Sequence, residues 1–517
     1  MFERVVLSLE DLLGVEYVDG VCAARACLAG ESKAALLRMA REKVDFFPMA
    51  VQHRLKELLP RIGKQCVTPL GNSSAGAGGA AFDAAMKRIF SPLSGFGFYR
   101  IGEDGRLFLI AKSEHYHTPL GHVFPGYRLV EIARQLGIPN ATHNNTRGHI
   151  TRLLETELVR AAGCETLNRV INLETGSLAM EAAIKLVLGR FYKAQTDSPE
   201  PKYAGRIPVL VVLGDDEGGI QANYHGTTMV AQIMRGMWME LRDRAERQEA
   251  FLVRSVRPNQ MEELEGVFAE WNSGNYKIAG FFHELVLMNY GGKWLEEEFV
   301  RRAYALCAEH DVPPIVDEIQ TGIWSPELFM FREYGVKPAM AALGKGFPGG
   351  EYPASRILFS AAFDVLPQFG ALVTNGQEEL ASLSYLITMK WAEANSPVTR
   401  AVGEYYEERL RELAARHSDQ ISAIEGRRHL AGVYFHTLEA AKFFVKQVNK
   451  AGMDISVQTY KAGCPPSALT KLPLIVNKEV VDVVIGVMER ALGGNWESGQ
   501  RSAISGQPEK DPNDAND

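Results

Sequence analysis

The stretches "VPPIVDEIQTG", residues 312–322, and "PAMAALGKG", residues 338–346, carry short apolar runs that each lead into a charged residue. The first run ends at Asp317, and the second leads into Lys345, which stands between two glycines. Continuous apolar runs of this length are typical of buried strands in a parallel sheet. Because desolvating an ammonium group is costly, Lys345 indicates either a solvated loop or an amine held in a pocket for chemistry.

Two other apolar runs have the same form, "IPVLVVLG" at 207–214 and "IAGFFHELVL" at 278–287. Helical patterns separate the four runs, which predicts a parallel sheet covered by helices on both faces. Ligands of such sheets bind beyond the carboxyl ends of the strands. We therefore expect one pocket to form from the polar residues at these ends, which are Asp215, Asp216, His283, Glu284, Asp317, Glu318 and Lys345.

Composition narrows the class of protein. The 517 residues carry a net charge of -7 without a basic block, which argues against a nucleic-acid partner. The longest apolar runs are too short to cross a membrane, and acidic residues interrupt the opening stretch "MFERVVLSLEDLLG", unlike a signal peptide. The six cysteines form no CxxC pair, and "HEL" at 283–285 lacks the second histidine of a zinc motif, so we expect no metal. These features favour a cytoplasmic enzyme.

Several motifs permit cofactor chemistry as well as a purely structural role. A carboxylate such as Asp317 keeps a nearby pyridine nitrogen protonated, and a lysine Schiff base is the other requirement of pyridoxal phosphate (PLP) chemistry. Asp317 could equally be a helix cap or part of a buried salt bridge. Gly176 and Ser177 open an apolar helix, where an N-cap or a phosphate site is expected. Tyr224 could be a core residue or stack on a cofactor ring.

Taken together, these residues resemble the class III aminotransferases, which are PLP enzymes of fold type I. The strongest likeness runs from the acidic strand to the lysine motif over 313–355. The pieces "LGHVFPG", "TGSLAMEAAIK", "YHGTT", "HELVL" and "KLPLIVNKEVVDVVIGVMERAL" also follow in the family's order. The resemblance covers about residues 90–492 and implies an α/β fold. It consists of a large domain with a mostly parallel sheet covered by helices and a smaller α+β domain.

The resemblance also implies roles for individual residues. Lys345 would form the Schiff base with PLP, and Asp317 would pair with the ring nitrogen; these two are the expected catalytic residues. The rest of the implied cofactor site is Gln320 near the ring hydroxyl, Tyr224 stacked on the ring with His225 beside it, Gly176 and Ser177 on the phosphate, Glu284 near the cofactor, and Thr374 reaching the phosphate from the neighbouring subunit. A site of this kind implies a homodimer with shared active sites.

Other positions depart from the family pattern. Thr227 stands where many members have an arginine, Leu178 replaces an acid, and Trp324 replaces a small residue. The asparagine-proline after the phosphate threonine is missing, and residues 377–379 are Gln, Glu and Glu. Since these changes affect the substrate side, no particular amino donor is assigned. Arg147 and Arg428 could clamp a carboxylate or could be ordinary surface or interface arginines.

The expected reaction is transfer of an amino group from an amino acid or amine to a keto acid, with 2-oxoglutarate or pyruvate implied by the family. The same lysine could instead support racemisation, epimerisation or an aminomutase reaction. A non-catalytic PLP-fold protein that works through partners is a third reading. Dependence on a keto acid separates the first reading from the second.

The expected domain plan has five parts. These are a mostly helical extension at 1–90, the N-terminal part of the small domain at 91–150, the PLP-binding large domain at 151–390, the C-terminal small domain at 391–492, and a disordered polar tail at 493–517.

Overall fold

The computed structural model describes residues 1–81, 91–112, 118–140, 146–214, 224–458 and 464–493. The predicted pocket residues Asp215 and Asp216, and the predicted tail beyond Gly493, lie outside the described residues. The α-helices are α1 (Leu9–Leu13), α2 (Val15–Ala29), α3 (Lys33–Ala40), α4 (Met49–Leu58), α5 (Arg128–Gln135), α6 (His149–Ala162), α7 (Gly176–Leu188), α8 (Met229–Met234), α9 (Met239–Arg247), α10 (Met261–Trp271), α11 (Glu297–Glu309), α12 (Met330–Glu333), α13 (Glu379–Ala394), α14 (Ser396–Arg416), α15 (Leu438–Lys450) and α16 (Lys478–Gly493).

The strands form one large and several small sheets. In chain order they are β1 (Val6–Leu7), β2 (Val44–Asp45), β3 (Pro92–Phe96), β4 (Tyr99–Gly102), β5 (Leu107–Ile110), β6 (Arg169–Leu173), β7 (Ile207–Leu213), β8 (Leu252–Val256), β9 (Tyr276–His283), β10 (Val286–Leu287), β11 (Lys293–Trp294), β12 (Pro314–Asp317), β13 (Met340–Leu343), β14 (Ser355–Phe359), β15 (Ile421–Arg427), β16 (Leu430–Phe435), β17 (Met453–Asp454), β18 (Ser456–Val457) and β19 (Ser467–Lys471).

The central sheet has seven strands in the order β6-β14-β13-β12-β9-β7-β8. The strands from β13 to β8 run parallel, whereas β14 is antiparallel to both of its neighbours. Successive side chains of β7 enter two different apolar clusters, one with helix α11 and the other with α7. Both faces of the sheet are thus covered, as the uninterrupted apolar strands predict, and the expected α/β fold is confirmed.

The predicted strand over 278–287 is wrong in its extent. Strand β9 ends at His283, and Val286–Leu287 pairs instead with Lys293–Trp294 outside the central sheet. Residues 285–287 remain fully buried after the strand ends, so the apolar run continues although the hydrogen-bonded ladder does not. Burial on all sides hides a strand boundary from hydrophobic patterning.

The chain also forms two four-stranded sheets. One is antiparallel, in the order β15-β16-β19-β18, and the other joins β3, β4 and β5 to β17 from much later in the chain. A turn at Asp104-Gly105 connects β4 to β5, with Gly105 at φ 75°. None of the described helices combines the length and the apolar character that crossing a bilayer requires.

Candidate active site

Three charged residues lie at one edge of the central sheet. In the strand register, Val316 pairs with His283, and Asp317 pairs with Ala342. Glu284 directly follows β9, and Lys345 lies two residues beyond the end of β13. The structure therefore brings Glu284, Asp317 and Lys345 to the same carboxyl edge, where ligands of α/β sheets bind.

The backbone at Lys345 has an unusual conformation. Its φ angle is 40°, in the left-handed region that residues with a side chain rarely adopt. Such conformations persist only when the surrounding structure imposes them, and they cluster at functional sites. Lys345 is half-buried, and the residues on both sides of it are buried.

The two glycines beside Lys345 have different neighbours. A Cβ atom on Gly346 would lie 2.4 Å from Cζ3 of Trp324, whereas one on Gly344 would meet Cβ of Ser355 at an ordinary 3.4 Å. The Trp324 ring is fixed because its indole N–H donates to the carbonyl of Leu472 at 3.1 Å. Of the two glycines, only Gly346 is therefore required for the close approach of the Trp324 ring.

This asymmetry predicts different outcomes for two alanine variants. Gly346→Ala overpacks the contact with Trp324 and is expected to cost about 1–3 kcal/mol of stability and to lower turnover by moving the lysine loop. Gly344→Ala, the matched control, should be tolerated. Thermal unfolding and steady-state turnover of both variants test this, and equal behaviour of the two would contradict the assignment.

Asp317 is held on both carboxylate oxygens. Nδ1 of His225 lies 2.9 Å from Oδ2, and the backbone N–H of Ile319 donates to Oδ1 at 3.0 Å. His225 is completely buried, so a carboxylate acceptor at this distance places the ring proton on Nδ1. Because a carboxylate has about four lone-pair positions, Asp317 keeps capacity for a further donor.

Two features of the edge fit a PLP ring. Gln320 is buried, and its Oε1 has no hydrogen-bond partner among the described residues, so it can accept from a ring hydroxyl. Tyr224 is half-buried, and the guanidinium of Arg235 covers one face of its ring at 4.3 Å. The opposite face of Tyr224 is the one on which a cofactor ring would stack. The sequence reasoning missed Arg235, since no motif marks it.

The start of helix α7 fits a phosphate. Thr175 is the N-cap, and Gly176 and Ser177 form the first turn, where backbone N–H groups are free to bind an anion. A Cβ on Gly226, whose φ is 102°, would lie 2.6 Å from Cα of Ser177, so this approach requires a glycine. The N–H of Thr227 donates to the Ser177 hydroxyl at 3.1 Å and fixes it at the helix start. The residues present therefore fit PLP at both its ring and its phosphate.

Glu318, next to Asp317, makes its hydrogen bonds inside the protein. Its carboxyl is fully buried, accepts from the N–H of Phe331 at 2.8 Å and bonds the hydroxyl of Thr321. Burial raises the pKa of Glu318 from 4.5 to about 7. Because the folded protein holds this proton to higher pH than the unfolded chain, Glu318 lowers stability as pH rises from about 4.5 to about 7.

Glu318→Gln is expected to remove this pH dependence, because the amide stays neutral while keeping an acceptor and a donor. Wild-type protein should lose about 3 kcal/mol relative to the variant across that pH range. Urea unfolding of both proteins at about pH 5 and about pH 8 measures the difference. Parallel stability profiles would show that the buried carboxyl does not titrate between them.

The remaining predicted residues are placed as follows. Glu284 is buried at the sheet edge, and Thr374 is exposed on the loop before α13. Arg428 is buried, and its guanidinium bonds both carboxylate oxygens of Glu333 inside the protein. Arg147 is exposed and lies 3.5 Å from Glu155, which makes it the more accessible of the two arginines.

His283 and Glu379, two other residues that the sequence analysis singled out, make contacts within the protein. His283 is fully buried beside the hydroxyl of Tyr304, and burial lowers the pKa of His283 to about 3, so its ring is neutral. Glu379, where the family pattern differs, accepts from the N–H groups of Ile150 and Thr151 and so caps helix α6. Among the described residues, no group of three or more histidine, cysteine or acidic side chains is arranged to hold a metal.

Comparison with known proteins agrees with this geometry. The family model "Aminotransferase class-III" matches residues 87–492. The chain is 25% identical over 411 residues to acetylornithine aminotransferase of Aquifex aeolicus, covering 77% of this chain and 96% of that protein. The solved transaminase of the marine bacterium Virgibacillus superposes with a TM-score of 0.66 at 16% identity, over 84% of this chain and 98% of that one. The solved ornithine aminotransferase of Toxoplasma gondii superposes with a TM-score of 0.64 at 20% identity, over 80% of this chain and 91% of that one. The chain therefore belongs to the class III aminotransferases, PLP-dependent enzymes of fold type I.

Proposed function

We propose that this aminotransferase passes an amino group from an amino acid or amine to a small keto acid, 2-oxoglutarate or pyruvate, with Lys345 and Asp317 as its catalytic residues. The observation that carries the proposal is the placement of both residues at one carboxyl edge by neighbouring parallel strands. Thr227 and Trp324 depart from the family pattern on the substrate side, so the amino donor is expected to differ from the family's common donors.

Bound PLP supplies an aldehyde that condenses with amines and a ring that withdraws electrons from the substrate carbon. The Lys345 amine would be the base that takes the proton from the substrate carbon and the acid that delivers it again. The left-handed backbone and the packed Gly346 fix the position from which the amine acts.

The other residues orient and hold the group. Asp317 would keep a proton at the ring nitrogen of bound PLP, and His225 and the N–H of Ile319 keep the Asp317 carboxylate in place. Gln320 would accept from the ring hydroxyl, and Tyr224 would stack on the ring. Gly176 and Ser177 would bind the phosphate at the positive end of helix α7.

We further propose a homodimer in which Thr374 completes the partner's phosphate site. Thr374 is exposed, as a residue that acts on a neighbouring subunit must be. A set of large apolar side chains on and between helices α8 and α9 is also exposed, comprising Met229, Met237, Trp238, Met239 and Leu241. An apolar surface of this kind is typical of a protein interface. None of the six cysteines, all of which are among the described residues, forms a disulfide bond, which is consistent with a cytoplasmic location.

The shared site predicts complementation between two defective variants. Lys345→Ala and Thr374→Ala are each expected to be impaired. After subunit exchange, a mixed dimer holds one site with both Lys345 and a partner Thr374. The mixture should therefore recover up to about a quarter of wild-type activity, since half of the dimers are mixed and each has one intact site. If the activity of the mixture equals the sum of the activities of the two separate variants, the result would argue against a shared site.

The direct test of the reaction is a half-reaction without a keto acid. Purified holoenzyme is titrated with a panel of amino acids and amines that includes ornithine and N-acetylornithine, and its absorbance is recorded. A true donor converts the cofactor to its aminated form and releases a carbonyl product in equal amount. Adding 2-oxoglutarate or pyruvate should restore the starting spectrum. Turnover of a substrate without a keto acid and without cofactor amination would instead identify a racemase or mutase.

A further inference from the structure

The first 61 residues lie before the family match, which begins at residue 87, yet they pack into the body of the enzyme. Phe2 and Phe47 of this N-terminal segment contact Trp391 on helix α13, with ring centroids 5.5 and 6.3 Å apart. Phe47 also stacks on Phe124 at 6.1 Å, and Phe124 contacts Trp391 at 5.9 Å. With Tyr127, 5.6 Å from Phe124, these residues form what we call the aromatic layer.

The segment is tied to the body by its backbone as well. The N–H of Glu3 donates to Oδ1 of Asn395 at 2.7 Å, and Asn395 is fully buried. Residues 6–7 pair with 44–45 as β1 and β2, and the N–H of Phe46 donates to the carbonyl of Val5 at 2.9 Å. The start of the chain and the strand before Phe47 therefore move as one unit.

The far side of the aromatic layer touches the loop that carries Lys345. The Tyr127 hydroxyl lies 2.6 Å from Oγ1 of Thr388. A Cβ on Gly349 would fall 1.5 Å from that same hydroxyl, so the backbone of Gly349 rests directly on Tyr127. Gly349 has a φ of 68° and belongs to the loop 344–350, which contains Lys345.

A loop of this composition needs outside contacts to hold one shape. Residues 344–350 contain four glycines, and glycine loses more conformational freedom on folding than any other residue. A small displacement of a catalytic group is enough to lower its rate strongly. The contact between Gly349 and Tyr127 is one of the points at which the body fixes this loop.

We propose that the N-terminal segment positions the lysine-bearing loop through the aromatic layer, with Phe47 and Tyr127 as positioning residues for Lys345. Phe47 holds Phe124 and Trp391 from the side of the segment, and Tyr127 transmits that packing to Gly349. The N-terminal segment therefore helps to hold the active-site loop 344–350 in place.

The test uses full-length holoenzyme and two readouts besides activity. Phe47→Ala and Tyr127→Phe should increase deuterium uptake in peptides covering 344–355 and raise the dissociation constant of PLP about fivefold. They should lower kcat more than they raise the KM for the amino donor. Val18→Ala is the control, because Val18 is buried in α2 of the same segment and lies outside the aromatic layer. It should increase uptake within residues 1–61 only.

The proposal is overturned if Phe47→Ala loosens residues 1–61 while uptake at 344–355 and PLP affinity stay at their wild-type values. The segment would then contribute to stability alone. If Phe47→Ala does not fold, Phe47→Leu and Tyr127→Phe give the same comparison with smaller losses of packing. Wild-type uptake and PLP affinity in both of these variants would equally refute it.

Discussion

Replacing Lys345 with alanine is expected to lower kcat by about 10⁴-fold or more, because the variant lacks both the amine that carries the cofactor and the base that moves the proton. The absorbance band of protein-bound cofactor should also shift when the lysine linkage is lost. Steady-state kinetics and a spectrum of the PLP-loaded protein measure both effects. The effect should be mainly on kcat, since the residues proposed to bind the phosphate and ring are unchanged.

The matched control is Lys337→Ala. Lys337 is an exposed lysine just before β13, so its loss changes the net charge equally without altering the sheet edge. We expect this variant to keep wild-type kcat and spectrum. A Lys345→Ala variant within tenfold of wild type would show that another group performs the chemistry.

Asp317→Asn is expected to lower kcat at least about a hundredfold, since a neutral amide no longer stabilises a proton on the ring nitrogen. The substitution preserves shape, so a large loss would report the charge. It also removes the charge that His225 faces at 2.9 Å, and some loss of PLP affinity should accompany the kinetic effect. Single-turnover kinetics with a donor separate the chemical step from binding.

Glu318→Gln provides the comparison, because it neutralises the adjacent buried carboxyl. Glu318 bonds Thr321 and the backbone of Phe331, so its loss should change stability with pH and leave kcat nearly unchanged. Comparable kinetic losses in both variants would mean that the measured effect is general disturbance of the strand end.

The pattern of apolar residues predicted those strands whose ends coincide with the ends of a buried apolar run. Strands β7, β12 and β13 are short apolar runs between helices, and Asp317 and Lys345, at the ends of β12 and β13, lie at the edge where the rule for α/β sheets places them. Strand β14, antiparallel within the sheet, was not predicted, because its pairing depends on contacts between distant segments. The end of β9 was also mispredicted, since buried residues continue beyond it.

The candidate site shows a similar division. The residue types and order around Asp317 and Lys345 predicted which strand ends meet and which cofactor the chain uses. The sequence did not predict three contacts of the structure, which are the hydrogen bond between His225 and Asp317, the contact of Arg235 with the Tyr224 ring and the ion pair of Arg428 with Glu333. Each joins residues far apart in the chain, and the side-chain directions that permit it are set by tertiary packing.

The central claim is that PLP is linked to Lys345, and chemical trapping tests it most directly. Sodium borohydride converts a lysine–PLP linkage into a stable amine, and mass spectrometry of the digested protein then locates the modified residue. The account predicts one phosphopyridoxyl group per chain, on the peptide containing Lys345. Modification of another lysine, such as Lys112 or Lys471, or no modification of PLP-loaded protein, would contradict it.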